Sequence, residues 1–224
     1  KRNILLMADE VYQENVYTEK KPFLSFNRVV EEMGLGDSFE LVSFHSVSKG
    51  FLGECGRRGG YFVASRAFDK QVLEELYKCA SINLCPNVDG QITVDLMVKP
   101  PHEESKEQYL QERDNIIKSL KRRAQNLVTR LNTLPGVSCN QAEGAMYAFP
   151  KITIPKAAVA EAKQLNQEPD MFYALTLLRE TGIVVVPGSG FGQEPGTFHF
   201  RTTFLPPEDR MEEVVERLSK FHVQ

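Results

Sequence analysis

The four cysteines, Cys55, Cys79, Cys85 and Cys139, form no CxxC pair and no zinc-type spacing. That excludes the usual sequence signs of a disulfide framework or a structural metal and points to a reducing compartment. No run approaches the ~20 apolar residues of a membrane-spanning helix. Charge of neither sign dominates: the formal net charge is −3. Basic residues are not interleaved with aromatics, so neither nucleic acid nor a membrane is an expected partner. Repeats and low-complexity tracts are missing. So is an initiator methionine, because the sequence opens at Lys1 directly into the apolar run "ILLMA". It therefore reads as the middle of a longer protein, with any organelle address expected upstream.

What is present is ordinary globular composition, 42% hydrophobic and 25% charged over 224 residues. That length suffices for one large domain or two small ones. "NILLMADE", "ELVSFHS" (40–46) and "GGYFVAS" (59–65) read as short buried strands. Between the first two, Leu24, Val29, Val30 and Met33 have helical spacing, with Gly34 as a stop, and 67–79 is amphipathic. Strands separated by helices predict an α/β layered sheet. "VKPPHEESKEQ" (98–108) reads as a linker. Beyond it, apolar residues from Leu110 to Leu131 recur at three- and four-residue steps, predicting a helix over about 105–133 closed by "LPG". Strand-like "AMYAFP", a helix near 171–181, strands "IVVVP" and "TFHFRTTF" and a last helix over 208–222 predict a second, α+β domain.

Asp9 and Tyr12 stand in "ADEVY", where an apolar strand ends, and ligands of open α/β sheets bind at the carboxyl ends of strands. Capping and packing would equally account for both residues. Ser46 and Lys49 follow the end of a second strand, in "SVSKGFLGECGRRGGY". A Ser-x-x-Lys pair could serve acyl transfer, but the accompanying S-D-N and K-T-G elements are missing. Lys49 could instead form a Schiff base with a carbonyl cofactor, or be a structural loop lysine. Arg57 and Arg58 follow a glycine run that allows close backbone approach, and a guanidinium fork suits phosphate as well as a surface position. "VVVPGSGFG" has G-x-G-x-G spacing with no helix after it, which excludes the dinucleotide fingerprint. Arg201, amid the apolar strand "HFRTTF", needs an anion: a buried carboxylate of the protein or one of a substrate. His45 and His199 flank these positions and are assigned no role.

Taken together, "DEVY", "SVSKG…RRGGY" and "HFR" resemble the fold-type I pyridoxal-phosphate enzymes, the class I and II aminotransferase family. "INLCPNVDGQ", "GAMYAFP" and "VVPGSGFGQEPGTFHFRTTFLP" resemble its alanine aminotransferase branch. The resemblance covers essentially the whole chain, as the C-terminal part of such an enzyme. It implies an α/β fold: half of the large, mostly parallel sheet domain in residues 1–110, and a small α+β domain in 111–224, bridged by the long helix. It implies pyridoxal 5'-phosphate as cofactor, with Lys49 as its covalent anchor and later the proton shuttle. Asp9 matches the partner of the ring nitrogen, Tyr12 a donor to the ring 3'-oxygen, and Ser46 a phosphate ligand. Arg58 matches the phosphate arginine better than Arg57, and Arg201 matches the clamp for the substrate α-carboxylate. Amino acids and 2-oxo acids are the implied small-molecule partners, in a homodimer that is cytoplasmic or mitochondrial.

Two departures qualify the match. The arginine that aspartate aminotransferases carry near "SINLCPN" is missing, which disfavours a dicarboxylate-specific enzyme. The glycine-containing phosphate turn, the stacking aromatic and the asparagine of the family's N-terminal half are also not in this sequence. A glutamate:glyoxylate aminotransferase, a Ser/Lys acyl-transfer enzyme and a non-catalytic fragment remain as alternatives.

Overall fold

The computed structural model describes residues 4–99 and 101–223. Asn3 of the first expected strand and Pro100 of the expected linker lie outside them. The chain divides into two compact units, Lys1–Asn115 and Ile116–Gln224.

In the first unit, β1 (Leu6–Asp9), α1 (Phe26–Glu32) and β2 (Leu41–Ser46) form a β-α-β unit. β1 and β2 pair in parallel, from Leu6 opposite Leu41 to Asp9 opposite Phe44. β3 (Gly60–Ala64) adds to β2 antiparallel, with Ser46 opposite Gly60, so this sheet is mixed. Side chains alternate between faces along a strand. Leu6, Ala8 and Leu41 therefore share one face, and Val30 of α1 joins Ala8 and Leu41 in a buried core flanked by Leu35 and Phe39. Met7, Asp9 and Phe44 fall on the opposite face. The Ser25 hydroxyl caps α1 by accepting from the Arg28 N–H at 3.2 Å. Asp69 caps α2 (Lys70–Ser81) the same way, accepting from the Val72 N–H at 3.0 Å.

Helix α3 (Val88–Val98) has no counterpart in the sequence expectations. Its weak signal has a physical cause, because Gly90 and the β-branched Val88, Ile92, Thr93 and Val94 all lower helix propensity. A short turn at Glu103–Ser105 then leads into α4 (Lys106–Leu131), which takes up the end of the expected linker. The division between the units falls within α4.

In the second unit, β4 (Val137–Ser138), β5 (Tyr147–Ala148) and β6 (Lys151–Ile152) are followed by α5 (Lys156–Gln164) and α6 (Pro169–Thr181). Then come β7 (Val186–Pro187), β8 (Phe198–Thr203) and α7 (Glu208–His222). β8 is the spine. β5 and β6 pair with it antiparallel in one unbroken register, Tyr147 opposite Thr203 and Lys151 opposite His199. β7 takes the other edge, with Val186 opposite Arg201. Only Val186–Pro187 of the expected strand "IVVVP" pairs, and α5 was not expected.

Phe200 and Thr202 of β8 are buried, and His199, Arg201 and Thr203 alternate onto the more open face. Leu120, Ala124, Leu127, Val128 and Leu131 of α4 are each at most 3% exposed, so the three- and four-residue spacing marks a core stripe. Truncating Leu127 leaves a cavity the backbone can only partly fill. Leu127→Ala is expected to lower unfolding free energy by about 2–5 kcal/mol in chemical denaturation.

Candidate active site

Parallel pairing puts the carboxyl ends of β1 and β2 at one edge of the sheet, and Asp9 and Ser46 stand there. Both line a cavity of about 600 Å³ together with Phe44, His45, Gly60 and Tyr61. Gly60 lies close to the end of β2: an added Cβ would come within 2.9 Å of the His45 carbonyl oxygen and 3.0 Å of the Ser46 Cβ. The Asp9 carboxylate accepts from the Val11 N–H at 3.2 Å through Oδ1. Its Oδ2 makes no hydrogen bond among the described residues. The Ser46 hydroxyl accepts from the Ser48 N–H at 3.3 Å, which leaves its own proton to donate.

Beyond Ser46 the chain makes a loop that returns to β3. Val47, fully buried, closes its base: its N–H donates to the Gly59 carbonyl at 3.1 Å, and its carbonyl accepts from the Glu54 N–H at 2.9 Å. Lys49 lies half-buried at the start of this loop, where the Gly53 N–H donates to its carbonyl at 3.2 Å. Tyr12, also half-buried, sits in the turn after β1, its carbonyl accepting from the Asn15 N–H at 2.9 Å. Neither Lys49 nor Tyr12 lines the cavity of Asp9 and Ser46.

The two arginines at the far end of the loop differ. Arg57 faces carboxylates, Glu54 at 3.6 Å and Asp89 at 3.9 Å. Arg58 faces none among the described residues: its guanidinium donates to the Cys55 carbonyl at 2.8 Å and approaches the Cys55 Sγ at 3.6 Å. Its backbone is left-handed, φ 54°, a conformation uncommon outside glycine. Helix α3 holds the segment in place. Asn87 donates from Nδ2 to the Arg57 carbonyl at 2.6 Å. Gly90 packs so tightly that a Cβ there would sit 2.7 Å from the Arg58 carbonyl oxygen and 2.8 Å from that of Arg57.

Arg201 belongs to the second unit. Its position on the open face of β8 settles how an arginine fits a mostly apolar strand. It makes no ion pair among the described residues, and its Cζ lies 4.8 Å from the Tyr147 ring centroid and 4.7 Å from that of Phe191. The glycine run of "VPGSGFG" forms a short turn over Gly188–Phe191, ended by Gly192 at φ 65°, and opens no helix.

Several residues around these positions carry no sequence signal of their own. His45 and Gln13 meet side chain to side chain at 2.9 Å, tying the Tyr12 turn to the end of β2. Asn15, 1% exposed, lies below the Lys49–Gly50 turn, its Oδ1 4.0 Å from where a Gly50 Cβ would be. Gly90 stood in a motif characteristic of one branch, but nothing in the string showed what it touches.

With these positions in view, the comparisons with known proteins are direct. Residues 1–218 match the family of class I and II aminotransferases, and the chain belongs to that family. Within it, the probable mitochondrial alanine aminotransferase of Dictyostelium discoideum is 58% identical over 99% of this chain and 42% of its own length. Glutamate–glyoxylate aminotransferase 1 of Arabidopsis thaliana is 49% identical over 98% of this chain and 46% of its own. Among solved structures, an alanine aminotransferase of Pyrococcus furiosus matches with TM-score 0.79 and 28% identity, covering 98% of this chain and 49% of that one. The fold is thus that of the fold-type I aminotransferases, and the chain spans under half the length of these two curated relatives.

Two outcomes follow from the local geometry. Gly90→Ala forces its new methyl against two carbonyl oxygens, so a loss of about 1–3 kcal/mol is expected, with faster amide exchange over residues 57–59. Burial pushes the His45 pKa below its ordinary value, partly offset by Glu10 and Asp9. A lowered folded-state pKa means that the unfolded chain binds more protons. His45 therefore costs stability as pH falls through about 6.5 and below, and nothing above. His45→Gln is expected to flatten that acid-side slope in melts at pH 5 to 8, while leaving the slope above pH 7 unchanged.

Proposed function

We propose that this chain carries the cofactor lysine and its partners in an alanine aminotransferase, which converts L-alanine and 2-oxoglutarate to pyruvate and L-glutamate by a ping-pong route. The observation that carries the proposal is the convergence, at one sheet edge in a family member, of Asp9 and Ser46, with Lys49 three residues further on. In this reading residues 1–110 are the C-terminal portion of the cofactor domain and residues 111–224 form the small domain. The enzyme is a homodimer acting on small amino and oxo acids in the cytoplasm or mitochondrion.

The donor set fits pyridoxal 5'-phosphate. Among the described residues, Asp9 has a carboxylate oxygen to spare for a protonated ring nitrogen, Ser46 has a proton to donate, and Arg58 has no competing carboxylate. When bound, the cofactor supplies an electron sink for the carbanion formed at the substrate Cα. The protein's own residues do the rest. Lys49 would hold the cofactor and act as the base that moves the substrate Cα proton. Asp9 keeps the ring nitrogen protonated. Tyr12 donates to the ring oxygen, and Ser46 and Arg58 hold the phosphate. Arg57, already facing Glu54 and Asp89, is assigned a structural part. Arg201 grips the α-carboxylate that amino and oxo acid substrates share, for which a planar fork is suited.

The test uses a full-length protein bearing this sequence. L-alanine with 2-oxoglutarate is expected to be turned over far faster than L-aspartate, and Lys49→Ala is expected to abolish the reaction while leaving the fold intact. Preference for aspartate contradicts the substrate assignment. Preference for glyoxylate as acceptor transfers it to the glutamate–glyoxylate type, a relative of which is 49% identical. Arg58→Ala is expected to weaken cofactor retention by about 10- to 150-fold, the loss of a charge-assisted contact of ~1.5–3 kcal/mol. Arg57→Ala is expected to weaken it by far less. The reverse order in equilibrium cofactor titrations exchanges the two roles.

A further inference from the structure

Half-buried Arg201 has no carboxylate partner among the described residues, and two rings flank it. We propose that Tyr147 and Phe191 form an aromatic bracket that fixes the position of the Arg201 guanidinium while leaving its donors open, and that Phe191 is thereby a positioning residue for the substrate carboxylate. The proposal rests on the assignment of Arg201 to that carboxylate.

The bracket is built from both edges of β8. Tyr147 comes from β5, one pairing step from Arg201 along one edge. Phe191 comes from the turn after β7, whose Val186 pairs with Arg201 on the other. The two ring centroids lie 4.8 and 4.7 Å from Cζ. Distances of this size permit cation–π attraction, in which the electron-rich ring face stabilises the cation. The five guanidinium N–H donors lie in the plane of the group. A protein carboxylate would stabilise the charge by occupying those donors, as Glu208 does for Arg122 and Glu213 for Arg217. Rings at these distances stabilise the cation without a carboxylate taking up its donors, and leave the fork for an incoming one. A charge meant to be kept ready for an anion is better held this way than by an ion pair.

Phe191 is not left to chance. Asp170, 1% exposed at the start of α6, accepts the Met171 N–H at 3.0 Å on Oδ1. Its Oδ2 accepts the Ser189 N–H at 2.6 Å and the Gln193 side-chain N–H at 2.9 Å. Gln193 meets His199 Nδ1 at 3.0 Å through its own oxygen. His199 stacks on Phe149 at 4.9 Å and 3°, and Phe149 meets Phe191 edge-on at 5.7 Å and 86°. Gly188 lets the turn lie against β8, since a Cβ there would fall 2.8 Å from the His199 Cβ. A buried carboxylate thus fixes the turn, and the turn and its ring neighbours fix Phe191. Phe191 itself is 45% exposed, so it can be replaced without opening a core cavity.

The test is made on the full-length holoenzyme, with propionate, a carboxylate that has no amine to react, as competitive inhibitor against L-alanine. Phe191→Leu keeps an apolar side chain but removes the ring. It is expected to raise the propionate Ki and the KM for L-alanine by about 2- to 30-fold, with a smaller change in kcat. Phe191→Tyr and Phe191→Trp are expected to recover most of that loss. A Phe191→Leu enzyme that binds propionate like the wild type, or Tyr and Trp variants no better than Leu, overturns the bracket. Arg201→Gln separates this from the underlying assignment. If it abolishes propionate binding while Phe191→Leu does not affect it, the bracket alone fails. If it binds propionate normally, the carboxylate assignment fails and the bracket falls with it.

Discussion

Leu6–Asp9 lies parallel to Leu41–Ser46, and the arrangement of the first unit depends on that pairing. Antiparallel pairing would send the chain end that bears Asp9 to the opposite edge from Ser46. A slip of one residue would move Asp9 onto the face occupied by Ala8 and Val30. Register is held by the apolar residues that alternate with the chemical ones: Leu6, Ala8 and Leu41 bury against α1, which leaves Asp9 and Phe44 on the other side. The buried core and the placement of the reactive groups are therefore set by one alternation. The return of the loop, closed at Val47 and Gly59, then brings Arg58 back to the start of β3 beside the end of β2.

A second pattern concerns which cations are left open. Arg57, Arg66, Arg122 and Arg217 face carboxylates, and such exposed pairs contribute little to stability. Among the described residues, Arg58 and Arg201 do not. One is held by a backbone carbonyl and a sulfur, the other by two ring faces. A guanidinium restrained without a carboxylate can still form its strongest interaction with an outside anion, although Arg123, held by the Leu205 and Pro206 carbonyls, is restrained in the same way without lying at the candidate site.

Much of this was legible in the string. Apolar runs ending in Asp9 and Ser46 marked two strand ends, and Gly34 and Gly136 follow their helices with left-handed backbones where expected. The long helix showed because five core residues recur on one face of it. Helix α3 did not, since Gly90 is a contact with the Arg57–Arg58 backbone and its reason lies on the far side of β3 and α2 in the chain. For the same reason Arg57 and Arg58 were distinguishable only by resemblance: Asp89 sits on α3. The bracket around Arg201 was equally hidden, because Tyr147 and Phe191 reach it from the two edges of β8, far apart in the chain. Asp170 carried no sequence signal, because its partners Ser189 and Gln193 reach it only once the turn after β7 is folded back.

The central claim is that Lys49 is the cofactor's covalent anchor. Borohydride reduction of the full-length protein loaded with pyridoxal 5'-phosphate, followed by peptide mass mapping, tests it directly. One pyridoxyl group per chain is expected, on Lys49, in the peptide that spans "SVSKGFLGECGR". A stoichiometric label on another lysine, or labelling scattered over the exposed lysines with Lys49 unmodified, would contradict it.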